Sequence, residues 1–428
     1  MTDRRDSGFK DRTRLDAAVD RLRAATDSLD RTERVPVTGA VGRVLAEDVT
    51  AHRPLPRHDR AATDGYAVVS EDTFGAGGRS PAVLRPDEPG GGDGSNGNDD
   101  PAVSPGTTRR VEAGDRLPAG ADAVVRIEDA DRYGSDLEVG AAVATGANVT
   151  SAGADVREGA TVFEAGRRIR ESDLALCTSL GRSRLEVFAR PTVGVVPTGD
   201  ELVDADPGSG ETVETNGLVA ATFAERWGGK PNYRNVVDDD RHALRAAIER
   251  DLTKDVLVTT GGTGVGETDL VPDVVADLGE VHVHGVAVEP GGSTGIGVVR
   301  ETPVVMLPGD PVACLVAADR FVRPAVRTAG GLPRRSHPSV AATLAEKISS
   351  TVGVRTFARV TLDEGEATAV ESVESSDSLD LEARPVSSGG AGVLSSVATA
   401  DGWVVVPESR EGVPAGETVT VEDWEYQP

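Results

Sequence analysis

The chain has 428 residues, of which 38% are hydrophobic and 3% aromatic, so it can form packed cores built mainly from valine, alanine and leucine. At roughly 150 residues per domain, this length predicts about three domains. With only Cys177 and Cys314 present, a disulfide-rich scaffold and a cysteine-based zinc or iron–sulfur site are excluded. No apolar stretch approaches the roughly 20 residues of a membrane span, and the charged first eleven residues lack a signal-peptide core, so we expect a cytoplasmic protein without membrane binding.

The charge of the chain is strongly acidic. It has 71 Asp and Glu against 45 Lys and Arg, a net charge of −26, and only four of its basic residues are lysines. Such a surface keeps a protein hydrated in concentrated salt, where the screening length falls to about 3 Å at 1 M. The composition therefore predicts a protein of a halophilic cytoplasm. Nucleic-acid binding is not expected, because it requires a basic stripe that the sequence lacks.

The first part of the chain predicts one helix followed by short strands. An amphipathic helix is expected over residues 13–29, because Leu15, Ala18, Val19 and Leu22 fall on one helical face. Residues 66–85 and 102–146 predict short strands interrupted by many glycines and prolines. The intervening residues 86–106 are dense in Gly, Asp, Ser, Asn and Pro, so we expect a mobile surface insertion that buries nothing.

The middle of the chain alternates between valine-rich runs and helical patterns. This alternation predicts a parallel α/β sheet covered by helices. The predicted strands lie at residues 192–196, 233–237, 255–260, 281–288 and 303–307, and the predicted helices lie at 216–227, 240–251, 268–278 and 311–327.

Two further features complete the chain. The Glu-Pro-Gly-Gly sequence at 289–292, between apolar runs at 281–288 and 295–299, predicts a hairpin turn. From residue 339 onward helical patterns disappear, and short alternating segments such as 356–362 and 402–406 predict a small all-β domain.

Three glycine-containing loops follow predicted strands. In an open α/β sheet, ligands bind at the carboxyl edge of the strands, so we expect these loops to form one binding site. Glycines allow close approach of a ligand, and a helix N-terminus offers free N–H groups to an anion. The candidate binding residues are Thr198, Gly199 and Asp200 in the first loop, Gly261, Gly262, Thr263, Gly264 and Gly266 in the second, and Pro308, Gly309, Asp310 and Pro311 in the third.

Each loop also has a simpler structural explanation. The glycine-rich loop alone fits a tight turn, and no Gly-Lys-Ser/Thr follows it to make a P-loop. Asp310 and Pro311 fit the N-cap and first position of a helix.

Several residue types can act as metal ligands or catalytic groups. The acids Asp200, Glu201 and Asp269 suit Mg²⁺. The six histidines show no ligand spacing for a metal, and no Ser-His-Asp or Cys-His arrangement can be argued.

Taken together, six short motifs resemble one protein family. They are Gly-Arg-Val-Leu-Ala-Glu-Asp at 42–48, Asp-Gly-Tyr-Ala-Val at 64–68, Leu-Pro-Ala-Gly-Ala-Asp-Ala-Val-Val at 117–125, Thr-Gly-Asp-Glu-Leu at 198–202, Gly-Gly-Thr-Gly-Val-Gly-Glu-Thr-Asp at 261–269 and Leu-Pro-Gly-Asp-Pro at 307–311. In this order they resemble the molybdopterin molybdenumtransferase family, which includes MoeA and the gephyrin E-domain. The resemblance covers nearly the whole chain.

This resemblance implies an α/β multidomain protein. The implied parts are a discontinuous N-terminal linker domain (1–50 plus 156–188), an inserted β-rich domain (51–155), a MoaB/MogA-like α/β molybdopterin-binding domain (189–330) and a C-terminal small β-barrel domain (335–428). A homodimer is also implied, with its site in a cleft between the α/β domain of one subunit and the inserted domain of the other.

The function implied by the resemblance is a step of molybdenum cofactor biosynthesis. The family inserts molybdate into adenylylated molybdopterin with release of AMP and requires Mg²⁺, and a molybdopterin adenylyltransferase is the implied partner. The matching catalytic acids are Asp64, Asp155, Glu201, Asp239 and Asp269, of which Glu201 and Asp269 are the implied metal ligands.

Several positions depart from the family pattern. Residues 289–293 read Glu-Pro-Gly-Gly-Ser where Lys-Pro-Gly-Lys-Pro is common, so Glu289 and Gly292 replace two lysines. Common Ser, Thr, Ser and Asn residues are replaced by Ala62, Ala113, Gly264 and Asp310. We expect weaker molybdate binding unless an arginine from elsewhere substitutes. Two alternatives therefore stay open: a non-catalytic paralogue that binds a pterin nucleotide or a protein partner, and a tungstate-specific variant.

Overall fold

The computed structural model describes residues 9, 11–86, 102–364, 381–386 and 394–426. The chain divides into two compact units. The first consists of Met1–Glu33, Gly42–Val44 and Val187–Pro428, and the second of the two intervening segments, Arg34–Val41 and Leu45–Glu186. The finer four-domain division implied by the family stays a prediction.

The amphipathic N-terminal helix is present but shorter than predicted. Helix α1 spans Leu15–Ala24 and buries Leu15, Ala18 and Leu22, the apolar face that the sequence indicated. It ends five residues early, and the Thr26 hydroxyl donates to the Leu22 carbonyl at 2.8 Å. Serine and aspartate follow, and their side chains compete for the backbone and favour turns.

The second unit is mainly β-structure. Its six-stranded sheet has the order β7-β4-β6-β5-β9-β8 and buries apolar side chains such as Val68, Leu84 and Leu137. The elements from Thr32 to Phe188 are β1 (Thr32–Pro36), β2 (Val49–Thr50), β3 (Arg60–Ala61), β4 (Gly65–Val68), β5 (Ala82–Pro86), β6 (Thr107–Val111), β7 (Ala123–Arg126), β8 (Ala130–Tyr133), β9 (Asp136–Val139), β10 (Val149–Thr150), β11 (Thr161–Phe163), helix α2 (Glu171–Ser179) and β12 (Arg184–Phe188).

Part of the predicted surface insertion is packed. Residues 87–101 lie outside the described residues, but Val103 is only 3% exposed. The Val103 N–H donates to the Ala119 carbonyl at 2.8 Å, and the Gly106 N–H donates to Asp72 at 2.7 Å. The expectation that 86–106 buries nothing is therefore wrong for its last residues. The prediction depended on the polar composition of the whole segment and overlooked the one valine, Val103, that packs inside.

The first unit contains the expected α/β layer, with a mixed sheet. The sheet order is β16-β13-β17-β21-β20-β18; the first four strands are parallel, β20 runs antiparallel to β21, and β18 runs antiparallel to β20. The elements are β13 (Thr192–Pro197), β14 (Leu202–Val203), β15 (Thr212–Val213), α3 (Asn216–Arg226), β16 (Lys230–Tyr233), α4 (Arg241–Asp251), β17 (Val256–Thr260), α5 (Val271–Leu278), β18 (Glu280–His284), β19 (Val288–Glu289), β20 (Gly295–Val299), β21 (Thr302–Leu307), α6 (Pro311–Ala317), a π-helical turn (Ala318–Val322) and α7 (Arg323–Ala329).

The central strands pack against helices on both faces. Residues such as Val195, Val258 and Val305 belong to one core, and Val196, Leu257 and Met306 belong to the other. Continuous burial on both faces explains why these strands appear as uninterrupted apolar runs. Among the described residues, no helix is long and apolar enough to cross a membrane.

Two predicted elements of this layer are wrong in position or type. The strand predicted at 233–237 lies at Lys230–Tyr233, because it is a partly exposed edge strand and lacks the apolar run of the central strands. The segment 289–292 is not a simple hairpin turn. The chain leaves the sheet at Gly285, where φ is +99°, and Val288–Glu289 pairs in parallel with Arg355–Thr356.

The C-terminal region forms the expected small β-barrel. Strand β24 pairs with both β25 and β26, which closes the ring β24-β25-β22-β28-β26 around side chains such as Val360, Ala383 and Val404. One short helix interrupts the predicted all-β pattern. The elements are β22 (Ser339–Leu344), β23 (Ile348–Ser349), β24 (Arg355–Glu364), β25 (Leu381–Pro385), α8 (Ser395–Ala398), β26 (Gly402–Val406), β27 (Gly412–Val413) and β28 (Thr418–Glu422).

Candidate active site

Three neighbouring parallel strands bring the three predicted loops to one sheet edge. Strands β13, β17 and β21 end in register at Pro197, Thr260 and Leu307. Two backbone hydrogen bonds extend this register into the loops: the Thr198 N–H donates to Thr260 at 2.9 Å, and the Gly261 N–H donates to Leu307 at 3.1 Å. The loops therefore start side by side, at the edge where α/β sheets bind ligands.

The glycine-rich loop needs its glycines for space and backbone conformation. Gly261 and Gly262 have φ values of +92° and +61°, and a Cβ at Gly261 would collide with the Thr198 carbonyl oxygen. The Asp269 carboxylate closes the loop by accepting the Gly266 N–H at 2.7 Å. The same carboxylate leaves no room for a Cβ at Gly264. Local backbone bonds therefore fix the position of Asp269.

Three acidic residues lie together beside the first loop. Asp239 accepts the Thr198 hydroxyl at 2.8 Å, and its N–H donates to Asp200 at the same distance. Burial raises the pKa of Asp239; the Thr198 hydrogen bond opposes this, and the charges of Asp200 and Glu201 add to it. The Glu201 carboxylate folds over Gly199, 2.8 Å from where a Cβ would stand. A cation would relieve this repulsion.

The third loop is held by a helix cap and by a side chain that the sequence analysis missed. Asp310 accepts the Val312 and Ala313 N–H groups at 3.1 and 3.2 Å, so the predicted N-cap is present. The Asn216 amide donates to the Gly309 carbonyl at 2.7 Å. The signal available in the sequence was the position of Asn216 at the start of helix α3.

A buried acid holds the first turn of helix α3, which carries Asn216. Glu214 is 6% exposed and accepts the Gly217 N–H at 2.6 Å together with the Tyr233 hydroxyl. Burial and the Glu214 carboxylate raise the pKa of Tyr233. The start of helix α3 is thereby fixed against strand β16. No motif in the sequence pointed to this pair, because Glu214 and Tyr233 are separated by the whole helix.

The glycine-rich loop is also tied to the segment that carries the departures from the family. The Thr263 hydroxyl lies 3.3 Å from Ser293, and the Thr263 carbonyl lies 2.9 Å from the ring nitrogen Nε2 of His284. His284 thus holds the glycine-rich loop through a backbone contact. These bonds place residues 284–293 next to the glycine loop.

Cations from distant parts of the chain lie around this segment. A cleft of about 560 Å³ is lined by Glu289, Lys347 and Arg359. The Arg359 Nε–H is buried without a hydrogen-bond partner among the described residues. Burial lowers the pKa of Arg359, although the nearby Asp310 carboxylate raises it. The Arg12 guanidinium lies 3.4 Å from where a Cβ of residue 292 would stand.

These three cations were missed by the sequence analysis as specific residues. Arg12, Lys347 and Arg359 belong to the N-terminus and to the barrel, so no local motif connects them. Only the expectation of a substituting arginine anticipated them. The side chains of Lys347 and Arg359 give this cleft positive charge that suits an anion.

The other two predicted acids lie in the second unit. Asp64 and Asp155 are both exposed. The Asp64 carboxylate accepts the Ala113 N–H at 2.7 Å, so the backbone at this position orients Asp64 although the family's threonine is absent. The expected meeting of these acids with Glu201, Asp239 and Asp269 across a dimer stays a prediction.

The acidic residues at the sheet edge fit a magnesium ion that is completed by a substrate. The described residues contain no cluster of three or more His, Cys, Asp or Glu side chains arranged to hold a metal. Mg²⁺ is usually held by one or two carboxylates together with water and substrate phosphates. The repulsion within the Asp200, Glu201 and Asp239 group is compatible with such an open site.

The chain combines an α/β sheet that has three polar loops at one edge with a closed β-barrel. This combination is typical of a multidomain α/β protein that binds a ligand at the sheet edge. Three family models match the chain in order: the MoeA N-terminal region (domain I and II) at 13–181, a probable molybdopterin binding domain at 194–328, and the MoeA C-terminal region (domain IV) at 341–424. The chain belongs to the MoeA family.

Individual relatives agree with this assignment. A putative molybdopterin biosynthesis protein of Methanocaldococcus jannaschii is 31% identical over 94% of both chains. Molybdopterin molybdenumtransferase 2 of Mycobacterium tuberculosis is 33% identical over 78% of this chain and 84% of its own length. The crystal structure of a molybdopterin biosynthesis MoeA protein from Pyrococcus horikosii has a TM-score of 0.79 at 31% identity, and it covers 96% of this chain and 99% of the other.

Proposed function

We propose that this protein is a transferase of molybdenum cofactor biosynthesis that inserts molybdate into adenylylated molybdopterin and releases AMP in a Mg²⁺-dependent reaction. The observation that carries the proposal is the single sheet edge where a glycine-rich loop adjoins the acidic group of Asp200, Glu201 and Asp239. The named functions of the relatives supply the substrate class.

The chain's own groups suit the parts of this reaction. The glycines of loop 261–266 allow the backbone to lie close to the phosphate of the pterin substrate. Glu201 and Asp269 would hold the magnesium ion, which supplies charge neutralisation at the phosphoanhydride when bound. Asp239, with its raised pKa, can orient water or molybdate for attack on the phosphoanhydride, and where water attacks it can accept the proton, since molybdate is a dianion without one. The attacking oxygen forms a new bond to phosphorus as the P–O bond of the anhydride breaks, and AMP leaves.

The cleft beside Glu289, with its basic side chains, suits the negatively charged substrate molybdate. The charges lost at positions 289 and 292 are replaced in our proposal by Arg12, Lys347 and Arg359. Their side chains would hold molybdate as a substrate. We further propose a cytoplasmic homodimer in which Asp64 and Asp155 of one subunit complete the site of the other, and delivery of the substrate by a molybdopterin adenylyltransferase.

AMP release tests the proposal directly. Purified protein in high salt is mixed with adenylylated molybdopterin, molybdate and Mg²⁺, and AMP is quantified. Asp269→Asn should abolish Mg²⁺-dependent release, because the amide keeps the shape but removes the charge. Glu301→Gln is the matched control, since this exposed acid lies in the turn between β20 and β21 at the opposite sheet edge. Wild-type protein that releases no AMP would contradict the proposal.

The alternatives give different outcomes in the same assay. Binding of the pterin nucleotide without AMP release would support a non-catalytic paralogue, and turnover with tungstate alone would support a tungstate-specific variant. Glu289→Lys adds a test of the cleft. Reversing a charge about 4 Å from molybdate changes the interaction by a few kcal/mol at intermediate dielectric, so molybdate should bind more tightly. Equal affinities by calorimetry would show that Glu289 does not face the anion.

A further inference from the structure

A second cleft, separate from the three loops, carries the opposite charge to the molecule as a whole. This cleft of about 460 Å³ lies in the first unit, between helix α1, helix α7 and residues 332–337. Seven arginines and four acidic residues line it, a formal excess of three positive charges in a chain whose net charge is −26. We call it the arginine cleft.

The acidic residues of the arginine cleft all lie at ion-pair distance from a basic side chain of the cleft. Arg320 is shared by Glu422 and Asp319, and the four acids offset only part of the charge of the seven arginines. The pairs are Asp16 with Arg355 at 2.8 Å, Asp20 with Arg23 at 3.6 Å, Glu422 with Arg320 at 2.5 Å, and Asp319 with Arg320 at 3.0 Å and with His337 at 2.8 Å.

The remaining positive charge is concentrated on one side of the cleft. Within the described part of the chain, Arg323, Arg334 and Arg335 have no carboxylate at ion-pair distance. Arg323 donates to the Arg335 carbonyl at 2.8 Å, and its Nη1 lies 2.7 Å from the ring nitrogen Nε2 of His337. Burial lowers the pKa of Arg323 more than the Asp319 carboxylate raises it. This side of the cleft therefore carries more positive charge than the described carboxylates at ion-pair distance offset.

The arginine cleft continues into a second cavity with aromatic walls. This cavity of about 260 Å³ shares Arg323, Arg335 and His337 with the cleft and adds the rings of Trp227 and Tyr426. Small-molecule sites commonly enclose about 300–1,000 Å³ and combine apolar surface with a few converging polar groups. The two cavities together have this size and this combination.

We propose that the arginine cleft is a binding site for the phosphate groups of a small phosphorylated molecule. Guanidinium groups bind phosphate oxygens in a bidentate manner, and Arg323, Arg334 and Arg335 offer several donors to one side of the cleft. An acidic macromolecule would meet the repulsion of the whole acidic surface, whereas a compact anion meets mainly the local excess of positive charge. None of these residues belongs to the proposed transferase site.

Inorganic pyrophosphate is the probe for this site. Its binding to the full-length protein is measured by isothermal titration calorimetry at constant ionic strength. The variant Arg334→Gln with Arg335→Gln should bind about tenfold more weakly, since it loses charge-assisted hydrogen bonds. Both side chains are exposed and without a described partner, so the variant should fold, and its AMP release should be unchanged.

A matched control removes the same charge elsewhere. Arg132→Gln with Arg190→Gln replaces two exposed arginines outside the cleft, and pyrophosphate affinity should stay within about twofold of wild type. Equal weakening in both double variants would overturn the proposal, because it would indicate diffuse charge attraction. Unchanged affinity in the cleft variant would also overturn it. Tighter binding of polyglutamate than of pyrophosphate at this cleft would reject the small-molecule assignment.

Discussion

The acidic sheet edge and the arginine cleft differ in how their charges are satisfied. At the sheet edge, Asp269 and Asp310 accept backbone N–H groups within 3.2 Å, so the loop that carries each acid also holds it. In the cleft, Arg334 and Arg335 have no described side-chain partner, and the surrounding walls come from helix α7, directly before them in the chain, and from the distant helix α1. Charges fixed by their own loop are positioned before a ligand arrives. Surplus charge that its own segment leaves without a carboxylate instead indicates a ligand that supplies the partner.

The largest effect we expect comes from removing salt. With a net charge of −26, self-repulsion should unfold the protein or separate its proposed dimer below a few tenths molar salt, where the screening length exceeds about 5 Å. Circular dichroism and sedimentation are compared in KCl, NaCl and an uncharged osmolyte such as sucrose. Both salts should restore the fold and sucrose alone should not. Unchanged spectra and sedimentation in dilute buffer would reject the halophilic interpretation.

The next effect comes from the buried acid beneath the arginine cleft. Asp319 is 3% exposed and pairs with Arg320 and His337, so Asp319→Asn removes the buried carboxylate that holds this group together and leaves Arg320 paired with Glu422. We expect a loss of about 3–5 kcal/mol in the free energy of unfolding, measured with denaturant at constant ionic strength. Asp20→Asn, whose side chain is 76% exposed in the same cleft, should change it by less than about 0.5 kcal/mol.

The pH dependence of the Asp319 contribution has a definite sign. Burial opposes the charged carboxylate, but Arg320, His337 and Arg323 outweigh burial and lower the pKa of Asp319. A depressed native pKa contributes stability that is complete above the unfolded value of about 3.9 and is lost as the pH falls below it. The difference in unfolding free energy between wild type and Asp319→Asn should therefore narrow below about pH 4. A constant difference down to pH 2 would contradict this linkage.

The sequence predicted the features that depend on local chemistry. The loop after Thr260, the Asp310 cap and the closing strands of the barrel follow from glycine positions, capping residues and alternation within a few residues. Strand β16 was misplaced because an edge strand lacks the apolar run on which the prediction depended.

Features that depend on long-range packing could not be predicted in the same way. Val288–Glu289 pairs with a barrel strand more than 60 residues away, and its sequence resembles a turn. Lys347 and Arg359 reach the cleft beside Glu289 only because the barrel closes next to that segment. The arginine cleft was missed for the same reason, since an arginine in an arginine-rich chain carries no local signal.

A smaller effect on the free energy of unfolding should distinguish a glycine of the glycine-rich loop from a glycine of the adjacent loop. Gly261→Ala places a Cβ against the Thr198 carbonyl oxygen at a φ of +92°, so the strands must shift at the loop. We expect a loss of about 3 kcal/mol in the free energy of unfolding. Gly309→Ala is the control in the adjacent loop, because the nearest atom to its Cβ is 3.6 Å away. Equal stabilities of the two variants would show that the Gly261 site relaxes without cost.

The smallest effect distinguishes the capping role of Asp310 from its charge. Asp310→Ala removes the acceptor for the Val312 and Ala313 N–H groups and should lower the free energy of unfolding by about 1 kcal/mol. Asp310→Ser keeps a capping oxygen and should recover most of that loss while removing the negative charge near Arg359. If the carboxylate acts only as a cap, the serine variant should also keep the wild-type affinity for molybdate in calorimetry. If the carboxylate reduces the positive charge of Arg359 toward the anion, the serine variant should bind molybdate more tightly than wild type. Equal destabilisation by alanine and serine would contradict the capping role, since serine is as good an N-cap as aspartate.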